Sequence, residues 1–237
     1  MKTDKFSIIQ GNAFELIKQV KDKSIDLILT DPPYNIGKYS RGNIKFDWRP
    51  EINNDIADWD KVDFNPQNIT NDLVRVLKPN GNLFVFCSYN LIGQWHKALD
   101  HLFDTTTFMV WHKTNPTPKF FKNGFLNSCE LILCCWNKKH KWNFTVQNKM
   151  HNFFESPICA GKERLKEPKH PTQKPIALLQ HIIKIASDEG DLVLDPFMGV
   201  GSTGKASLLL KRKFVGIEID EMYYNAAKNR LINDTEL

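Results

Sequence analysis

Two clusters in this sequence have residue types and spacing that could do chemistry. The first is Ile25-Asp-Leu-Ile-Leu-Thr-Asp31-Pro32-Pro33-Tyr34-Asn35. An apolar, strand-like run ends on a carboxylate, two prolines stiffen the backbone behind it, and an aromatic ring follows at a fixed separation. Proline lacks an N–H but keeps its carbonyl, so Asp31 and the Pro32 carbonyl form an acceptor-only pair suited to gripping an NH2 group. Tyr34 offers a stacking face for a planar base. The set answers a chemical difficulty. The exocyclic amine of a nucleobase is a poor nucleophile because its lone pair is delocalised into the ring, and two acceptors on its hydrogens favour the tetrahedral form that attacks an activated methyl. Catalysis of that kind is mainly positioning and electrostatics. An isolated Asp-Pro-Pro-Tyr is more often a strand-ending turn. The second cluster reverses that balance.

That cluster is Asp191-Leu-Val-Leu-Asp195-Pro-Phe197-Met-Gly199-Val-Gly201-Ser202-Thr203-Gly204, which reads as a strand, a glycine-rich turn and a helix. Glycines permit a tight turn and close approach of a ligand, and the N–H groups at the helix start can meet its polar atoms. Gly199, Gly201 and Gly204 satisfy G-x-G-x-x-G. Glu218 ends the next strand-like run, nineteen residues after Gly199, where an acid would accept hydrogen bonds from ribose hydroxyls. An adenosine-type cofactor follows, and the motif alone leaves NAD open. Its place in the chain argues against NAD: only 33 residues follow Gly204, too few for a dinucleotide domain that starts here. Phe197 suits packing against an adenosine or methionine portion.

These clusters must be carried by regular elements. Strand-like runs fall at 7–10, 25–30, 82–87, 107–111, 130–136, 191–194 and 213–218, and helical spacing recurs at 13–20, 66–77, 91–102, 176–186, 204–210 and 223–232. Alternation of this kind predicts an α/β fold with a mostly parallel sheet covered on both faces. Pro79-Asn80-Gly81 reads as a turn. Two stretches break the alternation, 35–65 and 137–174, and both are expected near substrate: the first as a mobile loop, the second as a DNA-contact insertion in one domain spanning 1–237.

Composition sets the outer limits. A chain of 237 residues, 41% apolar, can bury one large core. Five cysteines without C-x-x-C spacing suggest neither a disulfide framework nor a zinc site. The start of the chain lacks a signal-like apolar run and the longest apolar runs are strand-sized, so a cytoplasmic, membrane-free protein is expected. The net charge of +5 is unevenly spread: residues 111–175 hold twelve Lys or Arg against four Glu and no Asp, a balance of +8 that leaves −3 elsewhere. A charge run is usually a solvated face, but this one also suits a nucleic-acid backbone.

In these two clusters and their order, the chain resembles the bacterial DNA amino-methyltransferases, in particular the permuted β group in which the catalytic motif precedes the cofactor motif. Asp31-Pro32-Pro33-Tyr34 looks like the catalytic motif, Asp195 to Gly201 like the cofactor loop, Glu218 like the ribose acid, and His170-Pro-Thr-Gln-Lys-Pro175 like the motif at the methionine end. Arg75-Val-Leu-Lys-Pro-Asn-Gly81 is also typical, whereas Asn12 stands where an aspartate is common. The resemblance implies a doubly wound seven-stranded sheet of order 3-2-1-4-5-7-6, circularly permuted, with strand 7 antiparallel and Asp191–Leu194 as strand 1. It implies S-adenosylmethionine held by Asn12, Ala13, Asp31, His170, Thr172, Lys174, Asp195, Phe197, Gly199, Gly201, Ser202, Thr203 and Glu218. It further implies methylation of the N6 amine of an adenine flipped out of double-stranded DNA, with Lys138, Lys139, Lys141, Lys162 and Arg164 of the basic stretch as DNA contacts. A homodimer and a partner restriction nuclease are expected on the same grounds. Methylation of the cytosine amine by the same mechanism is the nearest rival, typically with Ser in place of Asp31. Methylation at cytosine carbon 5 needs a cysteine nucleophile, and none lies near Tyr34. An NAD oxidoreductase or a catalytically silent DNA-binding module are more distant alternatives.

Overall fold

The structure is a computed structural model, and it describes residues 1–35, 64–118, 124–161, 163–168 and 172–233 together with the backbone of 44–46 and 49–52. Its strands in chain order are β1 (Phe6–Gln10), β2 (Ile25–Thr30), β3 (Ile44–Phe46), β4 (Arg49–Ile52), β5 (Leu77–Cys87), β6 (Thr105–Lys113), β7 (Cys129–Trp136), β8 (Phe153–Ser156), β9 (Leu192–Asp195) and β10 (Lys213–Glu218). The helices are α1 (Ala13–Leu16), α2 (Gln67–Val76), α3 (Ile92–Leu99), α4 (Ile176–Ala186), α5 (Ser202–Leu209) and α6 (Glu221–Asn233).

The main sheet runs β1-β10-β9-β2-β5-β7-β6-β8. Counted from the strand after Asp191, its first seven members reproduce the order 3-2-1-4-5-7-6. The pairs from β1 through β5 are parallel, and β7 lies antiparallel to both β5 and β6. An eighth strand, β8, extends the edge parallel to β6. It falls inside the 137–174 stretch, where its short FFES run carries too little apolar alternation to be read as a strand. That stretch is therefore not one insertion: its first half is scaffold. Trp142 stacks on Phe84, with centroids 6.4 Å apart, and the Asn143 side chain donates to the Lys184 and Ser187 carbonyls at the end of α4.

Alternate residues of the central strands feed two cores. Leu83, Val85 and Cys87 of β5 pack with α2 and α3, whereas Phe84 and Phe86 pack with α4 on the other face. A strand buried on both faces gains nothing from polar alternation, which explains the continuous apolar runs. The Pro79-Asn80-Gly81 turn is a bulge inside β5: Ile25 pairs with Leu77 but Leu27 with Asn82, so residues 78–81 loop out opposite Asp26. Most of the expected mobile loop 35–65 lies outside the described residues, apart from the antiparallel β3–β4 hairpin and the two loop ends.

Candidate active site

In an open parallel sheet, ligands bind beyond the carboxyl ends of the strands. Here that end gathers Asp31 after β2, Asp195 closing β9 and Glu218 closing β10, while reversed β7 contributes its first residues, Cys129 and Glu130. A cavity of about 800 Å³ opens there. Its wall includes Asp31, Pro32, Pro33 and Tyr34 from the first cluster and Asp195, Phe197, Gly199, Ser202, Thr203 and Glu218 from the second, with Asn12, Ala13, Thr172 and Lys174. The two clusters are thus one site, of a size typical for small-molecule pockets.

Backbone geometry builds the cofactor side. Gly199 and Gly201 have φ of 50° and 76°, a region that disfavours side chains, and a Cβ on Gly201 would also stand 3.1 Å from that of Ala227. Gly201 is the N-cap of α5 and does not line the cavity. The Gly199 N–H donates to Glu218 Oε2 and the Asp220 N–H to Glu218 Oε1, each at 2.8 Å. A carboxylate offers about four acceptor positions, so Glu218 keeps acceptor capacity beyond these two bonds. Burial raises the Glu218 carboxyl above its ordinary range, opposed by those backbone donors. Asp195 accepts the Thr30 hydroxyl at 2.8 Å and the Phe197 N–H at 3.1 Å, and burial pushes it up to about 7. The Asn12 side chain accepts the Phe14 N–H at 2.9 Å and caps α1, so the amide at this position serves the helix. Phe197 packs edge-on to Phe14 and Phe64, forming an apolar wall that Ile219, 59% exposed, continues.

The catalytic side is held just as firmly. The Tyr34 carbonyl accepts from the Ser88 hydroxyl and the Asn90 side chain at 3.1 Å, which pins the loop to the end of β5. Asn35 donates to the Phe64 carbonyl and accepts the Phe64 N–H, closing the base of the 35–65 loop. The Tyr34 hydroxyl donates to Asp31 Oδ1 at 2.7 Å, and Lys174 donates to Asp31 Oδ2. Burial raises the Asp31 carboxyl, with the Lys174 charge working against the rise; burial and the charges of Asp31 and Glu130 lift the Tyr34 hydroxyl well above its ordinary value.

Several expectations change. Lys174 lines the cavity, but it is bonded to Asp31. His170 and Lys162 lie outside the described residues. Lys138, Lys139 and Lys141 follow β7 and so sit at the opposite end of the sheet, because that antiparallel strand delivers its C-terminus to the amino ends of its neighbours. Lys141 is moreover bound to Asp191 at 2.5 and 2.6 Å, 3.5 Å from Asp26. The three residues read as DNA contacts therefore stand at the base of the scaffold, away from the cavity. Arg164, by contrast, stands in the segment that leads from β8 to Lys174, at the cavity end. Sequence reasoning missed Glu130, Lys113 and Gln173. Glu130 did carry a signal, a lone acid at the head of the apolar run CELILCCW. Gln173 is buried, donating to the Glu163 carbonyl and accepting the Leu165 N–H, and thereby folds the loop before α4.

Fold and cavity together define a doubly wound α/β enzyme whose glycine turn and Glu218 share one sheet-end cavity with the Asp31 cluster. Comparison with known proteins then names the family. The DNA methylase family model matches residues 25–229, and the chain belongs to that family. It is 34% identical over 248 residues to Type II methyltransferase M.HinfI of Haemophilus influenzae, covering 95% of this chain and 68% of that protein. It is also 34% identical over 244 residues to Type II methyltransferase M2.LlaDCHI of Lactococcus lactis subsp. cremoris, covering 94% and 88%. Among solved structures, the M1.HpyAVI–SAM complex superposes with a TM-score of 0.70 at 31% identity, covering 95% of this chain and 98% of that one. The cytosine-N4-specific PvuII DNA methyltransferase shares the fold, with a TM-score of 0.73 at 18% identity over 99% and 92% of the two chains.

Proposed function

We propose that this DNA methylase transfers a methyl group from S-adenosylmethionine to the N6 amine of an adenine flipped out of double-stranded DNA. The observation that carries the reading is the single cavity shared by Glu218 and the glycine turn on one side and Asp31 and Tyr34 on the other. The donor set fits the cofactor. Glu218 keeps acceptor capacity for ribose hydroxyls, Phe197 and Ile219 supply apolar wall, and Asn12, Ala13, Thr172, Ser202 and Thr203 line the remainder. When bound, S-adenosylmethionine supplies a sulfonium-activated methyl and leaves as S-adenosylhomocysteine.

This chain's own residues supply the rest. Asp31 and the Pro32 carbonyl accept the two amine hydrogens and turn the nitrogen lone pair toward the methyl. As the N–C bond forms, positive charge develops on that nitrogen, and the Asp31 carboxylate meets it until the surplus proton leaves to water. Tyr34 stacks on the base, its ring fixed by the hydroxyl bond to Asp31. Extrusion from the duplex costs a few kcal/mol, offset by that stacking and by phosphate contacts. We place those contacts on the cavity-end basic segment that contains Arg164 and Lys166.

Adenine is favoured over cytosine because a purine offers Tyr34 more stacking area, and because Asp stands at position 31. The type II designation of the two relatives supports a role as the modification arm of a restriction system with a partner nuclease. A homodimer, expected from the resemblance, is checked by sedimentation. Digestion of DNA from an expressing host to nucleosides, followed by mass spectrometry, tests the base. N6-methyl-2′-deoxyadenosine is expected, and finding N4-methyl-2′-deoxycytidine alone overturns the assignment.

A further inference from the structure

The Asp31 carboxylate belongs to a partly buried row of alternating charges that neither sequence cluster contains in full. The Lys174 side chain, 5% exposed, donates to Asp31 Oδ2 and lies 3.4 Å from Glu130 Oε2. Glu130 Oε1 pairs in turn with Lys113 Nζ at 2.7 Å, and the Tyr34 hydroxyl reaches Glu130 Oε2 at 3.3 Å. The Lys174 ammonium is also flanked by the rings of Phe86 and Tyr34, 4.9 and 5.3 Å from their centroids. Two of its three donors are therefore directed at carboxylates. Four elements contribute: the end of β2, the end of β6, the start of β7 and the segment before α4.

We propose that Lys174 is the counter-ion that keeps Asp31 charged and aimed at the target amine, and that Glu130 positions Lys174 by gripping it from the other side. The proposal rests on the reading of Asp31 as the amine acceptor. A desolvated carboxyl tends to take up a proton; once protonated it donates, and the acceptor-only pair with the Pro32 carbonyl is lost. Lys174 opposes this directly. An ammonium so deeply buried is itself costly, and Glu130 compensates it. Burial works against the Lys174 charge, yet the carboxylates of Asp31 and Glu130 hold it above the ordinary lysine value. The groups acting on Asp31 are Tyr34, Lys174 and Glu130, with Asp195 and Cys87 also close enough to couple.

Opposite charges predict opposite shifts. The test follows the Asp31 carboxyl by NMR titration of protein labelled with 13C-carboxyl aspartate, its resonance identified by its loss in Asp31→Asn. Single-turnover methylation and S-adenosylmethionine binding are measured alongside. Lys174→Met should raise the Asp31 pKa by about one unit or more, moving the acid limb of the rate profile upward. Lys174→Arg should keep the limb in place. Glu130→Gln should move it downward, because a negative neighbour is gone while an amide oxygen still holds the ammonium. Glu130→Ala, which removes the grip, should slow the step on the order of tenfold or more, with Glu130→Gln recovering most of the loss. Cofactor affinity should change little in all four. Shifts of the same sign, or none, overturn the proposal. So does a Lys174→Met variant with weakened cofactor binding and an unmoved titration, which makes Lys174 a cofactor ligand. If Lys174→Met fails to fold, the downward shift in Glu130→Gln decides. Turnover by Asp31→Ala would instead sink the amine-acceptor reading itself.

Discussion

The Thr30 hydroxyl donates to the Asp195 carboxylate at 2.8 Å, and this buried bond joins two strand ends 165 residues apart in the chain. Thr30 immediately precedes Asp31, and Asp195 opens the glycine turn. The bond forms because β2 and β9 are parallel neighbours, with Leu27 beside Val193 and Ile28 beside Leu194. The Asp31 cluster and the glycine turn are thereby locked in register.

Asp195 gives the fold a distinct pH dependence. Burial raises its carboxyl from 3.8 to about 7, so between those values the native state holds a proton that the unfolded chain has lost. This contribution makes stability fall as pH rises through that window, by up to about 1.4 kcal/mol per pH unit, and level off above the folded pKa. Asp195→Asn removes the titrating group while its amide oxygen can still accept from Thr30 and Phe197. Urea denaturation at pH 5 and pH 8 should show the variant gaining on the parent at the higher pH. A constant difference would mean that Asp195 is charged throughout.

Asp31→Ala should abolish methyl transfer while the protein remains folded and binds S-adenosylmethionine. Loss of a preorganised electrostatic contact to the reacting nitrogen is worth roughly 10²–10³ in rate, and the paired acceptor geometry disappears with it. Single-turnover methylation with circular dichroism as a folding control checks this. Substantial turnover would remove the central catalytic claim.

For Glu218→Ala, two charge-assisted bonds to ribose disappear, each worth roughly 1.5–3 kcal/mol and not fully additive. The cofactor dissociation constant should rise by about one or more powers of ten. The substitution also frees the Gly199 and Asp220 N–H groups. Glu218→Gln, which can still accept one of them, should therefore fall between the parent and Glu218→Ala in calorimetric titration. An unchanged constant would place the ribose elsewhere.

DNA docking separates the two ends of the sheet. Neutralising Lys138 and Lys139 should leave the slope of log affinity against log salt unchanged, whereas neutralising Arg164 and Lys166 should reduce it by up to about 0.9 for each phosphate no longer paired with a cation. A reduced slope in the first variant would put DNA on the base of the scaffold.

Much of this protein was legible before folding. Chain-local physics specifies a strand that ends on Asp31, two prolines that stiffen the backbone leading to Tyr34, and glycines at 199 and 201 that admit positive φ, because each depends on neighbours in sequence. The alternation of strands and helices likewise survives in the structure nearly element for element, since burial on both faces imposes continuous apolar runs. Short FFES lay below the threshold of that pattern: an edge strand needs only one partner and little apolar content.

What the tertiary structure alone decided is which charges meet. Composition recorded a basic excess between residues 111 and 175 without distinguishing the ends of a sheet, and the reversal of β7 sends Glu130 to the active site and Lys138, Lys139 and Lys141 to the opposite end. Lys141 then disappears into Asp191 and Asp26, while Lys174 reaches across from the segment before α4 to Asp31 and Glu130. Local periodicity encodes whether a residue is buried and on which face of its element. Strand direction and order, set by long-range packing, determine which buried charge finds which partner.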